Sequence, residues 1–142
     1  MDTHATSRQE WEDWGKLVLR LTIGGLLLFH GISKVSSGVA WMAGPLSAVG
    51  LPAFIAYGAY VGEIVAPILA IIGKFTRIAG LVIAFDLLMA IVLVLRDQAF
   101  SIKEQGGGLA IELELLFLLG GIAIFLLGSG RYALSKGQGR WD

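Results

Sequence analysis

The chain has no cysteine among its 142 residues, which removes disulfides, thiolate nucleophiles and cysteine-held metals together. It cannot catalyse thiol–disulfide exchange by itself. Charge is scarce: Asp, Glu, Lys and Arg make up 15% of the sequence and cancel to a formal net charge of zero. No basic block interleaved with aromatics occurs, so nucleic-acid binding has nothing to rest on. Histidine occurs only at His4 and His30. A heme held by two intramembrane histidines is therefore excluded, and no metal site is expected. The amino-terminal MDTHATSRQEWEDWGK lacks the basic start, short apolar core and small-residue cleavage site of a secretory signal, and no cleavage is expected there.

What is abundant is apolar. Hydrophobic residues reach 56% and the mean hydropathy is +0.76, far from a water-facing domain, and this implies an integral membrane protein. Four apolar stretches, about 14–36, 53–73, 77–95 and 109–128, are each long enough to cross a ~30 Å hydrocarbon layer as a helix. The expected fold is an all-α integral membrane bundle of four transmembrane helices. Residues 14–130 form its membrane domain, with polar tails at 1–13 and 131–142.

In a four-span arrangement with both termini on one side, that side holds eight of the eleven Lys and Arg residues: Arg8, Lys16, Arg20, Lys74, Arg77, Arg131, Lys136 and Arg140. Lys34, Arg96 and Lys103 fall on the other. The positive-inside rule then places both termini in the cytoplasm and the protein in the cell (inner) membrane as a multi-pass chain. Trp11, Trp14, Trp41 and Trp141 stand near span ends, where indoles settle in the interfacial belt. The loop SSGVAWMAGPLSAVGLP is too apolar for a free loop and too broken by Gly and Pro for a long helix. It is expected to be partly embedded and to cap the extracytoplasmic mouth. The third connection carries Gly106, Gly107 and Gly108 without the Lys-Ser/Thr of a phosphate-binding loop, and reads as a flexible turn.

Ionisable residues inside such spans are costly and mark either a partnered structural pair or a site. At 100° per residue, Arg20, Gly24, Leu27, Gly31 and Lys34 share one face of the first span, with His30 beside Lys34. Snorkelling of Arg20 and Lys34 to opposite interfaces, with the glycines serving close packing, is one account of that face. For His30 alone a structural role is the simpler one. In the second span Gly58, Gly62 and Ala66 form a small-residue seam next to Glu63. Pro67 deprives the Glu63 carbonyl of its helical donor, so one turn presents an ionisable side chain and a free backbone acceptor. A purely structural salt bridge from Glu63 to Lys34 or Arg20 is the competing reading.

Helical rise puts Glu63 and Asp86 about ten residues, ~15 Å, from the extracytoplasmic ends of their spans. His30, Lys34, Glu112 and Glu114 lie nearer that surface and Arg20 nearer the opposite one. Glu112 and Glu114 are ~200° apart around a helix, so they cannot both face the interior. The expected site is His30, Lys34 and Glu63 with one of these two glutamates, and Arg20 and Asp86 form a deeper structural charge pair.

Several pieces of this pattern occur together in order: Leu17-Val18-Leu19-Arg20-Leu21, Phe29-His30-Gly31-Ile32-Ser33-Lys34, Gly50-Leu51-Pro52, Gly62-Glu63, Gly73-Lys74-Phe75-Thr76-Arg77, Glu112 with Glu114, and Gly128-Ser129-Gly130-Arg131-Tyr132. In these the chain resembles the DoxX family of small four-span membrane proteins. The resemblance implies a membrane subunit of the thiosulfate:quinone oxidoreductase kind, a component of thiol or oxidative-stress systems, or, through distant relatives, an assembly chaperone. Lacking cysteine, the chain would need a partner subunit for any sulfur chemistry.

Three functions stay open. In the first, a quinone-linked redox component, His30 and Lys34 hydrogen-bond the quinone oxygens while Glu63 or a fourth-span glutamate (Glu112 or Glu114) delivers protons. In the second, a non-catalytic scaffold, buried charges fix helix register and small-residue seams hold a homo-oligomer or another membrane protein. The third is a small transporter or proton relay, weakened by the absence of an internal repeat. The expected partners are membrane lipid and a membrane or soluble oxidoreductase subunit.

Overall fold

The structure, a computed structural model, describes residues 3–142, with side chains from Ser7 onward; Met1 and Asp2 of the polar tail lie outside the described residues. Most of the described residues are helical, and their only β-type pairing is an isolated bridge between Ile102 and Leu109. Helix α1 spans Thr3–Ser37. After a 3₁₀ turn at Ala40–Met42 comes a short helix, α2, at Ala43–Ala48. Helix α3 is the apolar segment Ala53–Ile72, α4 is Thr76–Leu93 and α5 is Glu112–Leu127.

Three helical segments, Ser7–Ser37, Ala53–Ile72 and Thr76–Leu93, are long and apolar enough to cross a membrane. Their outward faces carry large apolar side chains such as Phe29, Val35 and Phe85. Such faces suit a hydrocarbon solvent and would be a liability in water. Helix α1 extends beyond the apolar stretch at 14–36. It continues unbroken through the polar segment back to Thr3, and its 35 residues make it ~52 Å long. Its first turns therefore project beyond any hydrocarbon layer, where Arg8 and Glu12 form an i,i+4 ion pair at 3.3 Å.

Helices α1, α3, α4 and α5 each pack on two of the others, α1 and α4 both lying against α3 and α5. The core between them contains Ile23 and Leu27 of α1, Ala66 and Ala70 of α3, Ile83 and Leu87 of α4, and Phe117 and Ile124 of α5. Without a hydrophobic drive between helices in lipid, close approach has to come from small residues. The α4–α5 crossing is one such case: a Cβ at Gly80 would stand 2.6 Å from the Gly121 carbonyl oxygen, and one at Gly121 would stand 2.7 Å from the Gly80 oxygen. The spacing rules applied to the sequence picked out the seam in α3 and missed this one, because its glycines lie on two different helices.

The ends differ in character. At the lower end, where α3 stops and α4 starts, the C-terminal residues are docked: Leu134 N–H donates to the Ile72 carbonyl at 2.9 Å and Ser135 N–H to that of Gly73 at 3.1 Å. Arg77 donates to the carbonyls of Phe125, Leu126 and Asp142. The segment written as a tail at 131–142 thus packs on the helix ends. At the upper end the apolar loop forms a small second core of Val39, Leu46 and Ala56, with Met42, Leu51 and Tyr60 against it. The glycine-rich connection is a short hairpin in which Lys103 and Ala110 N–H groups donate to the Gly108 and Ser101 carbonyls, both at 2.8 Å.

Candidate functional site

Glu63 lies in a π-helical turn, Val61–Val65, inserted between the α-helical pieces of α3. The Ala66 N–H reaches back five residues to the Val61 carbonyl. Pro67 explains the local unwinding, since it has no N–H for the Glu63 carbonyl and its ring opposes a regular turn there. Such π-bulges concentrate at functional sites. The extra residue turns the Glu63 side chain inward, where it is 4% exposed.

Inside, Glu63 Oε1 accepts from the Lys34 ammonium in a direct ion pair. Glu63 Oε2 is buried with no hydrogen-bond partner. Two glycines make this geometry available. A Cβ at Gly31 would overlap the Glu63 carbonyl oxygen, so only glycine lets α1 approach the opened turn, one helical turn before Lys34. A Cβ at Gly62 would overlap the Asp86 carboxyl, so Gly62 leaves the space that Asp86 occupies. The Tyr60 hydroxyl donates to the Lys34 carbonyl at 3.1 Å and fixes the end of α1 beside the pair.

Gly31→Ala is expected to destabilise the detergent-solubilised protein by about 1–3 kcal/mol, the usual cost of overpacking, and to separate Lys34 from Glu63. A melting curve checks the first effect. An unchanged midpoint would mean that α1 and α3 are not in contact here.

The ion pair lies between two cavities. The larger, about 500 Å³, is walled by α3 and α4 and roofed by the apolar loop through Met42, Leu46 and Leu51; Lys34, Glu63 and Asp86 are its charged residues. The smaller, about 160 Å³, lies on the α5 side and is lined by His30, Trp41, Phe117 and Glu114, again with Lys34 and Glu63. The larger is within the roughly 300–1,000 Å³ of small-molecule sites, and its mainly apolar lining with a few convergent polar groups fits that class. No cluster of His, Asp or Glu able to hold a metal ion occurs among the described residues.

The other residues singled out from the sequence fall as follows. His30 is exposed on α1, edge-on to Phe117 with ring centroids 5.6 Å apart, and borders only the smaller cavity. Glu114 is half-buried with Oε2 unpartnered. Glu112 is exposed, its carboxyl lies against Gly108 in the loop, and it lines neither cavity.

The expected Arg20–Asp86 pair is not formed. Arg20, 1% exposed, donates to the carbonyls of Ala70 (2.8 Å), Ile71 (3.2 Å) and Tyr132 (2.6 Å). Asp86 stands instead beside Gly62. Gly62 and Ala70 are eight residues apart on α3, ~12 Å along the helix, so the two charges lie at different depths. The last carbonyls of a helix carry partial negative charge and lack intrahelical donors, and this draws Arg20 to them. Asp86 as a neighbour of Glu63 was the site feature that residue spacing missed, while the upper loop, expected to cap the mouth, lies over the larger cavity. A cation needing several acceptors was visible at Arg20; which acceptors it would find was not.

A profile of the DoxX family matches residues 15–96, covering α1 from Gly15 onward, α2 through α4 and every residue of the larger cavity. The chain is 34% identical over 120 residues to a protein of Bacillus subtilis named "Putative oxidoreductase CatD", an alignment covering 84% of each chain. An uncharacterized protein of Haemophilus influenzae is 33% identical over 103 residues, 70% of this chain and 75% of its own. The uncharacterized membrane protein Rv3486 of Mycobacterium tuberculosis is 32% identical over 128 residues, 84% of this chain and 78% of its own. No solved structure matches. With the family profile matched over more than half the chain, and relatives above 30% identity over most of their length, this membrane protein belongs to the DoxX family.

Proposed function

We propose that the protein is a quinone-binding membrane component that works with a partner oxidoreductase. The observation that supports this best is a largely apolar cavity of about 500 Å³ with an ammonium and two carboxyl groups in its lining. A quinone head group is flat and apolar apart from two carbonyl acceptors, which suits a lining with few, fixed polar groups. The name of the Bacillus subtilis relative points to oxidoreductase chemistry.

When bound, the quinone supplies an acceptor for two electrons and two protons. This chain's part is to bind, orient and protonate. Lys34 would hold the head group through its ammonium, Met42, Leu46 and Leu51 would shield it from water, and Glu63 would hold and release a proton at its carboxyl oxygen. The electrons come from a partner that oxidises a thiol or other reduced sulfur compound; two thiols going to one disulfide release the two electrons and two protons required. Around this site the reading places four spans, the 16-residue α5 being the fourth, with both termini in the cytoplasm of a cell whose inner membrane holds the protein. The basic residues gathered at the lower end support that orientation.

Protein purified in mild detergent without added ligand is expected to release quinone on solvent extraction, in substoichiometric to equimolar amount. Glu63→Gln is expected to retain about tenfold less, and His30→Ala, away from the larger cavity, to retain nearly all. Absence of quinone from wild type, together with both variants still supporting a partner's activity, would leave the scaffold reading in its place.

A further inference from the structure

Each cavity has a carboxyl group beyond the Lys34–Glu63 pair: Asp86 in the larger and Glu114 in the smaller. Glu63 belongs to both walls, and its Oε2 is buried and unpartnered; Glu114 Oε2 is in the same condition. The charged and titratable groups facing the two spaces are Lys34, His30, Glu63, Asp86 and Glu114. One ammonium thus serves three carboxyl groups. A buried carboxylate without a counter-charge is costly, and it becomes tolerable as the neutral acid. With Lys34 bound directly to Glu63, the two outer members have no ammonium of their own.

We propose that Glu114, Glu63 and Asp86 form a proton relay that runs from the smaller cavity to the larger, with Lys34 as the counter-ion of its middle member. This rests on the quinone reading for the proton's destination and adds its route. Asp86 gives its proton to the ligand oxygen, forming the new O–H bond as its own breaks, and is left as a carboxylate. Glu63 takes a proton from Glu114 across the smaller cavity, directly or through water. It then passes that proton on to Asp86, with Lys34 remaining beside Glu63 as its counter-ion. Glu114, in the first turn of α5, regains a proton from water at the upper end. Each proton transfer breaks one O–H bond and makes another, and the electrons that make the ligand oxygen a proton acceptor come from the partner's oxidation of two thiols to a disulfide.

The test needs no ligand. Full-length protein in phosphatidylcholine vesicles is transferred to deuterated water, and the infrared carbonyl band of buried carboxylic acids is followed as it exchanges. Asp86→Asn is expected to remove the main band. Glu114→Gln is expected to slow exchange of the Asp86 band by about tenfold or more, in the lower range of what a positioned acid–base group contributes. Glu114→Asp, which keeps a carboxyl, should return exchange towards the wild-type rate, and the exposed Glu104→Gln should leave it unchanged. Wild-type exchange rates in Glu114→Gln, or a band that Asp86→Asn fails to remove, overturn the relay. Decylubiquinone quenching of tryptophan fluorescence, with Trp41 on the smaller cavity, is measured on the same samples. Its failure in wild type counts against the quinone reading alone, because the exchange result stands without it.

Discussion

Lys34→Met is expected to destabilise the protein in detergent by about 3–5 kcal/mol, the range found when one partner of a buried ion pair is removed. Glu63 is 4% exposed, its second oxygen has no partner, and Gly31 holds α1 against its backbone. The abandoned carboxylate therefore cannot turn to water and has to be protonated or buried uncompensated. The melting midpoint should fall by roughly 10 °C or more on the usual scaling. Lys34→Met with Glu63→Leu should recover most of that loss, since replacing a whole buried pair by apolar groups of similar volume is often near neutral. Recovery of stability without recovery of bound quinone would separate the pair's part in binding from its part in packing. Recovery of both would make the pair a structural element only.

Arg20→Met should be nearly as severe, at about 3–5 kcal/mol, and its signature is different. The guanidinium joins α1, the last turn of α3 and the C-terminal segment through the carbonyls of Ala70, Ile71 and Tyr132. Gly73, at φ 72°, turns the chain away so closely that its own Cβ would stand 2.6 Å from an Arg20 nitrogen. Removing Arg20 should therefore free the docked tail before it unfolds the helices. Tryptic cleavage between Arg131 and Arg140 should accelerate at temperatures well below the melting midpoint. Lysine cannot replace the planar fork at three acceptors, so Arg20→Lys should fall between wild type and Arg20→Met. Equal protection of the tail in Arg20→Met would show that the Leu134 and Ser135 backbone bonds and the Arg77 contact to Asp142 hold it without Arg20.

Both results depend on details that the sequence shows unevenly. The membrane class, the approximate positions of the long helices and the need for Glu63 to find a partner follow from hydropathy, helical spacing and the cost of charge in hydrocarbon, all of which are local. Pro67 is also local, and it announces a disturbance at Glu63, although a kink and a π-turn are both ways to absorb it. Other features are properties of pairs of helices. Gly80 meets Gly121, and Asp86 meets Gly62 rather than Arg20, because inter-helix register sets the depth at which side chains meet. Periodicity within one helix does not report that register. The angle between Glu112 and Glu114 is fixed by helix geometry, but which one turns inward depends on how α5 rotates against α1 and α4. The roof formed by the upper loop was legible in part: its apolar, broken composition called for burial, and the packing supplies the cavity it covers.

The account centres on occupancy of the larger cavity by a quinone, and site-resolved photolabelling tests this most directly. An azido-substituted ubiquinone analogue is irradiated with the protein in lipid vesicles and the adducts are located by mass spectrometry. The account predicts adducts on Met42, Met89 and the Val61–Glu63 turn, all cavity-lining, suppressed by excess decylubiquinone and absent from the Lys34→Met, Glu63→Leu double variant. Labelling that is not suppressed by competitor, or that spreads evenly over outward-facing residues such as Phe29 and Leu116, would contradict it.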